Sequence, residues 1–124
     1  MKKILIVEDD AILTSILTDH LTRAGFEVMK PNNGEEALAS AFLNKPDLIL
    51  LDILLPKVDG FATLKELRKD KWGEHVPVII LTNLNTLADI SKASEYMDGF
   101  QGYLIKSDWK IEDVVAKVRE TLKV

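Results

Sequence analysis

Four short apolar runs each lead into a residue that can do chemistry. Ile4-Leu5-Ile6-Val7 is followed by Glu8-Asp9-Asp10, Leu48-Ile49-Leu50-Leu51 by Asp52, Val78-Ile79-Ile80-Leu81 by Thr82, and Tyr103-Leu104-Ile105 by Lys106. If these runs are strands whose carboxyl ends open on one crevice, several carboxylates meet there, and like charges that close raise one another's pKa unless a cation intervenes. Ionised Glu8, Asp9 and Asp52 bring −3 and Lys106 brings +1, so a single ion of charge +2 balances the set. All-oxygen ligands select a hard cation, and Mg²⁺ in particular pairs one or two carboxylates with waters and phosphate oxygens. The carboxylates therefore ask for a metal.

Each residue also has a plainer reading. An acidic triplet after a strand caps the next helix, which is the role expected of Asp10. Asp52 resists such a reading, because a carboxylate directly after an apolar strand is half-buried and costly without a partner. Read singly, Thr82 is an ordinary strand end and Lys106 an ordinary solvated lysine; their co-location raises them. His20 continues a face with Ile16 and Ala24 that is expected to be buried, His75 sits in a loop, and neither has a ligand partner. Trp72, Phe100 and Trp109 read as packing residues, and no glycine-rich nucleotide loop is present.

The elements that must position these residues follow from periodicity. Continuous apolar runs, without alternation, belong to parallel strands covered on both faces. Two weaker runs, Glu27-Val28-Met29-Lys30 and Tyr103-Leu104-Ile105, suit strands nearer the sheet edges, which makes five strands. Between them apolar residues recur at helical spacing: Leu13, Ile16, Leu17, Leu21 and Ala24; Ala37, Leu38, Ala41 and Phe42; Phe61, Leu64 and Leu67; Ile90, Ala93 and Met97; Val114, Val115, Val118 and Leu122. Gly25 is placed to end the first helix, Asn33-Gly34 and Asp59-Gly60 open the second and third, and Pro46 and Pro77 precede strands. Five strands alternating with five helices predict an α/β fold: a doubly wound (βα)5 three-layer sandwich with a five-stranded parallel sheet in the order 2-1-3-4-5.

Composition narrows the function classes. A chain of 124 residues is the size of one domain, and 47% hydrophobic with 29% charged residues excludes disordered and collagen-like chains. The absence of cysteine excludes disulfides, thiolate catalysis and Cys-ligated metals, and fits the cytoplasm. Sixteen basic against 20 acidic residues leave a net −4 with no basic block, from which neither nucleic acid nor membrane is expected as a partner. No apolar stretch reaches the length of a membrane span.

Taken together, Ile4 to Asp10, Leu51-Asp52-Ile53-Leu54-Leu55-Pro56-Lys57-Val58-Asp59-Gly60, Leu81-Thr82-Asn83 and Tyr103-Leu104-Ile105-Lys106 resemble the receiver domain of two-component response regulators, across essentially the whole chain. The resemblance implies Asp52 as phosphoacceptor, with Lys106 and Thr82 on the phosphoryl oxygens. It implies Mg²⁺ held by Glu8, Asp9, Asp52 and the Leu54 carbonyl, and a switch in which Thr82 moves toward the phosphoryl group and Tyr103 follows. The implied partners are a histidine kinase or phosphotransfer protein, meeting Asp10, Thr14 and Ser107, and a downstream protein target; the oligomeric state is left open. Residues 1–124 are read as a single receiver domain with no output domain in this chain, a signalling protein that catalyses its own phosphorylation and dephosphorylation. Ser107 stands where the family has a proline, so a trans Lys106–Ser107 bond is expected. Asn83 replaces a small residue, and the Thr82 to Lys106 interval is longer than usual. Two rival readings fit the residues less well. An Asp-nucleophile, Mg-dependent phosphohydrolase would want a second Asp two positions after the nucleophile, where this chain has Leu54; an unphosphorylated pseudo-receiver would have no need of the intact set Glu8, Asp9, Asp52, Thr82 and Lys106.

Overall fold

The computed structural model describes residues 1–31, 34–52, 60–82, 102–105 and 110–124, with backbone alone for Gly34, Glu35, Phe61, Thr82 and residues 102–105. The expected fourth helix, around Ile90 to Met97, lies outside the described residues, as do Leu54, Asn83, Lys106 and Ser107.

Five parallel strands form one sheet in the order β2-β1-β3-β4-β5: β1 (Lys3–Val7), β2 (Glu27–Met29), β3 (Leu48–Leu51), β4 (Val78–Thr82) and β5 (Gly102–Ile105). The described helices are α1 (Ala11–Arg23), α2 (Gly34–Asn44), α3 (Gly60–Arg68) and the C-terminal helix (Ile111–Leu122). Side chains along a strand alternate between faces, and here both faces are covered. Ile4, Ile6, Leu48, Leu50, Ile79 and Leu81 pack beneath α1 and the C-terminal helix against Leu17, Leu21, Val114 and Val118. Leu5, Val7, Ile49, Leu51, Val78 and Ile80 pack on the other side against Ala37 and Ala41 of α2 and Leu64 and Leu67 of α3. Two separate cores, one per face, explain why the central strands read as unbroken apolar runs.

The turns follow residue chemistry. Gly25 adopts φ +97° and closes α1, its N–H donating to the Thr22 carbonyl at 3.0 Å while Phe26 N–H reaches Leu21 at 3.1 Å. Gly73 is needed for a different reason: a Cβ there would lie 2.1 Å from the Leu67 carbonyl oxygen, so the loop after α3 approaches that helix more closely than any side chain allows. Arg68 staples the same loop, its Nη1 donating to the carbonyls of Gly73 (2.6 Å) and Val76 (2.8 Å). Burial lowers its pKa from the ordinary arginine value.

Three side-chain placements differ from the periodicity reading. Ile16 is 42% exposed and His20 only half-buried, because the sheet and the C-terminal helix cover α1 along Leu17 and Leu21 and leave the neighbouring stripe outside. Phe42 is likewise 38% exposed at the edge of α2, its ring set edge-on to Trp72 at 6.3 Å between centroids.

Candidate functional site

The site is built by register. Val7 pairs with Leu51 across the β1–β3 ladder, so the residues that follow them, Glu8 and Asp52, emerge side by side at the carboxyl edge. Asp52 stays enclosed at 3% exposure, since its neighbour strands flank it and Leu51 packs into the core beneath. Glu8 is half-buried and Asp9 exposed.

The turn from β1 into α1 is held by its own carboxylates. Glu8 Oε1 accepts the backbone N–H groups of Asp9 (3.1 Å) and Asp10 (3.2 Å). Asp10 is the N-cap of α1, Oδ1 accepting Ile12 N–H (3.0 Å) and Leu13 N–H (3.2 Å), as expected from its position. Carboxylate oxygens of Glu8, Asp9 and Asp52 then lie within 4.8 Å of one another. Three anionic groups at that separation repel, and a divalent cation bridging them relieves the repulsion. The donor set is all oxygen and partly open, which fits a hard octahedral ion that retains waters.

Of the remaining candidates, Thr82 reaches the same edge by its backbone, while Leu54 and Lys106 lie outside the described residues. Thr82 is the last residue of β4 and pairs with Ile105 of β5, the residue immediately before Lys106 in the chain. Tyr103 lies in β5 opposite Ile80. Beside the carboxylates a cavity of about 370 Å³ opens between the β1–α1 turn and the end of β2, lined among others by Glu8, Asp9, Thr14, Ser15 and Lys30. Apolar patterning does not single out Lys30; its signal is a cation directly after a strand, on the same edge as the acids.

Residues 4–119 match the family model of the response regulator receiver domain. The chain belongs to the response regulator receiver family. This receiver is 37% identical over 123 residues to the DNA-binding dual master transcriptional regulator RpaA of Synechocystis, an alignment covering 99% of the chain and 50% of that protein. Among solved structures it is similar to a two-component response regulator from Clostridium difficile, with TM-score 0.88, 32% identity and coverage of 99% of this chain and 97% of that one. It is also similar to the BeF3-activated N-terminal receiver domain of RstA from Klebsiella pneumoniae, with TM-score 0.86, 28% identity and coverage of 99% and 100%.

The chain spans about half the length of the curated relatives it matches. These relatives are named as transcriptional regulators, and no hydrolase is among them by name. They correct the expectation that nucleic acid is not a partner, since RpaA is named as DNA-binding. The expectation rested on the −4 charge of these 124 residues, and the charge of a receiver does not report on what the rest of a regulator binds. Among the described residues, no helix is long and apolar enough to cross a membrane.

Proposed function

We propose that this receiver accepts a phosphoryl group on Asp52 from a phosphohistidine of a histidine kinase or phosphotransfer protein, in the cytoplasm. The observation carrying this reading is the meeting of Glu8, Asp9 and an enclosed Asp52 within 4.8 Å at the carboxyl edge of a parallel sheet. Glu8, Asp9, Asp52 and the Leu54 carbonyl would hold Mg²⁺, which when bound supplies positive charge to the transferring phosphoryl oxygens. Asp52 acts as nucleophile: an Oδ–P bond forms as the P–N bond of the phosphohistidine breaks, and the imidazole nitrogen keeps the bonding pair. Lys106 and Thr82 take the remaining phosphoryl oxygens, and the attraction of Thr82 to that charge, followed by Tyr103, shifts the receiver between two populations. The chain thereby catalyses its own phosphorylation and, with water as the nucleophile, its own dephosphorylation. Its output is control of a downstream target, and in a regulator built like its relatives that target is transcription, with DNA bound outside the receiver.

Intact mass after incubation with acetyl phosphate tests the reading. The expected result is an added phosphoryl group that requires Mg²⁺ and disappears in Asp52→Asn. Equal labelling of that variant, or labelling of the parent in excess chelator, would refute the assignment.

A further inference from the structure

The three consecutive acids divide the work of the β1–α1 turn. Glu8 spends Oε1 on the N–H groups of Asp9 and Asp10, and Asp10 spends Oδ1 on those of Ile12 and Leu13. Asp9, between them, makes no side-chain hydrogen bond or ion pair to any other of the described residues, yet its carboxylate belongs to the close cluster with Glu8 and Asp52. The direction of a side chain is set by the peptide planes on its two sides, and at Asp9 both planes are held by a neighbouring carboxylate. Glu8 holds the plane before Asp9 and shares the one after it. Asp10 anchors that second plane to the first turn of a 13-residue helix that is itself packed on the sheet through Leu17 and Leu21.

We infer that Asp10 is a positioning residue for metal binding: its cap on α1 aims the Asp9 carboxylate into the cluster, while its own carboxylate stays out of it. The inference rests on the proposed metal-dependent phosphorylation. It separates from a charge effect, because an uncharged acceptor at position 10 serves as well. It separates from helix stability too, because glycine is tolerated at an N-cap with little cost but offers no side-chain acceptor to fix the turn.

Four variants decide it, with Mg²⁺ affinity measured by calorimetry and global stability by urea unfolding. Asp10→Asn and Asp10→Ser keep an oxygen that can accept the Ile12 and Leu13 N–H groups and are expected to bind Mg²⁺ as the parent does. Asp10→Ala and Asp10→Gly lose it and are expected to bind about tenfold more weakly, the low end of what groups behind the metal ligands contribute. Asn weakening binding as much as Ala would make the effect one of charge. Gly binding like the parent while Ala does not would make it one of helix stability alone. Unchanged binding in both Ala and Gly would mean that Asp9 needs no such brace; each of these three results overturns the inference. A parent that is labelled by acetyl phosphate while Asp10→Ala binds Mg²⁺ normally refutes this inference alone, whereas a parent that binds no Mg²⁺ refutes it together with the proposed function.

Discussion

The backbone N–H of Asp52 donates to the carbonyl of Val7 across 2.9 Å, one ladder step beyond the last paired residues of β1 and β3. That bond fixes Asp52 beside Glu8 whatever charge its side chain carries. Asp52→Asn therefore preserves the geometry and removes one of three clustered charges. In Mg²⁺-free buffer the variant is expected to be more stable than the parent by ~1 kcal/mol, roughly 4 °C in Tm at this chain length. Saturating Mg²⁺ is expected to raise the parent's Tm by several degrees and the variant's much less, because a ligand stabilises only the form that binds it. Thermal unfolding with and without the metal checks both halves; a variant less stable than the metal-free parent would mean that repulsion is not the dominant effect at the cluster.

Ile12 and Ile16, one turn apart on α1, are 74% and 42% exposed and stand beyond the acidic turn. An exposed apolar pair on the helix that follows the acidic turn is suited to the surface of the phosphohistidine-bearing partner, together with the exposed Asp10; Thr14, expected to join them, is half-buried with its hydroxyl enclosed. Ile12→Lys and Ile16→Lys are expected to slow transfer from a phosphohistidine protein about tenfold, the usual scale for losing an interface anchor. Labelling by acetyl phosphate, which makes no such contact, should hold steady. Equal slowing with both donors in a kinetic assay would argue against a docking role.

Gly73 and Gly25 separate two reasons for glycine. A methyl at Gly73 meets the Leu67 carbonyl oxygen at 2.1 Å, and backbone must move; Gly73→Ala is expected to cost at least about 2 kcal/mol. At Gly25 the space is open and only φ +97° opposes a side chain, so Gly25→Ala is expected to cost about 1 kcal/mol. Urea unfolding of the two variants should rank them in that order.

Arg68 tests the staple on the same loop. Its Nη1 bridges two carbonyls from a half-buried position, and a lysine, whose ammonium lacks the planar fork, does not reproduce the bridge. Arg68→Ala is expected to lose ~2 kcal/mol with Arg68→Lys recovering less than half of it, since buried carbonyls are left unmet. Full recovery by lysine in the same unfolding assay would show that charge, not geometry, holds the loop.

What the sequence determined by itself is the part of the molecule governed by local pattern and chain order. Unbroken apolar runs such as Leu48 to Leu51 require cover on both faces, and alternation with amphipathic segments leaves the parallel 2-1-3-4-5 sheet as the economical arrangement. From that order alone, Glu8, Asp9 and Asp52 must share an edge, and Asp10 must meet the start of α1. Tertiary structure decided what depends on rotation of one element against another. Whether Ile16 or Leu17 faces the sheet turns on where the C-terminal helix lies, about 100 residues away in the chain, since a stripe one position over has nearly the same spacing. The contact of Gly73 with the Leu67 carbonyl, the reach of Arg68 to Val76 and the arrival of Lys30 at the cavity beside Glu8 are likewise distances through space, which no local pattern encodes. The net charge of 124 residues, finally, speaks for these residues only, because a charge acts over about a Debye length and not along a covalent chain.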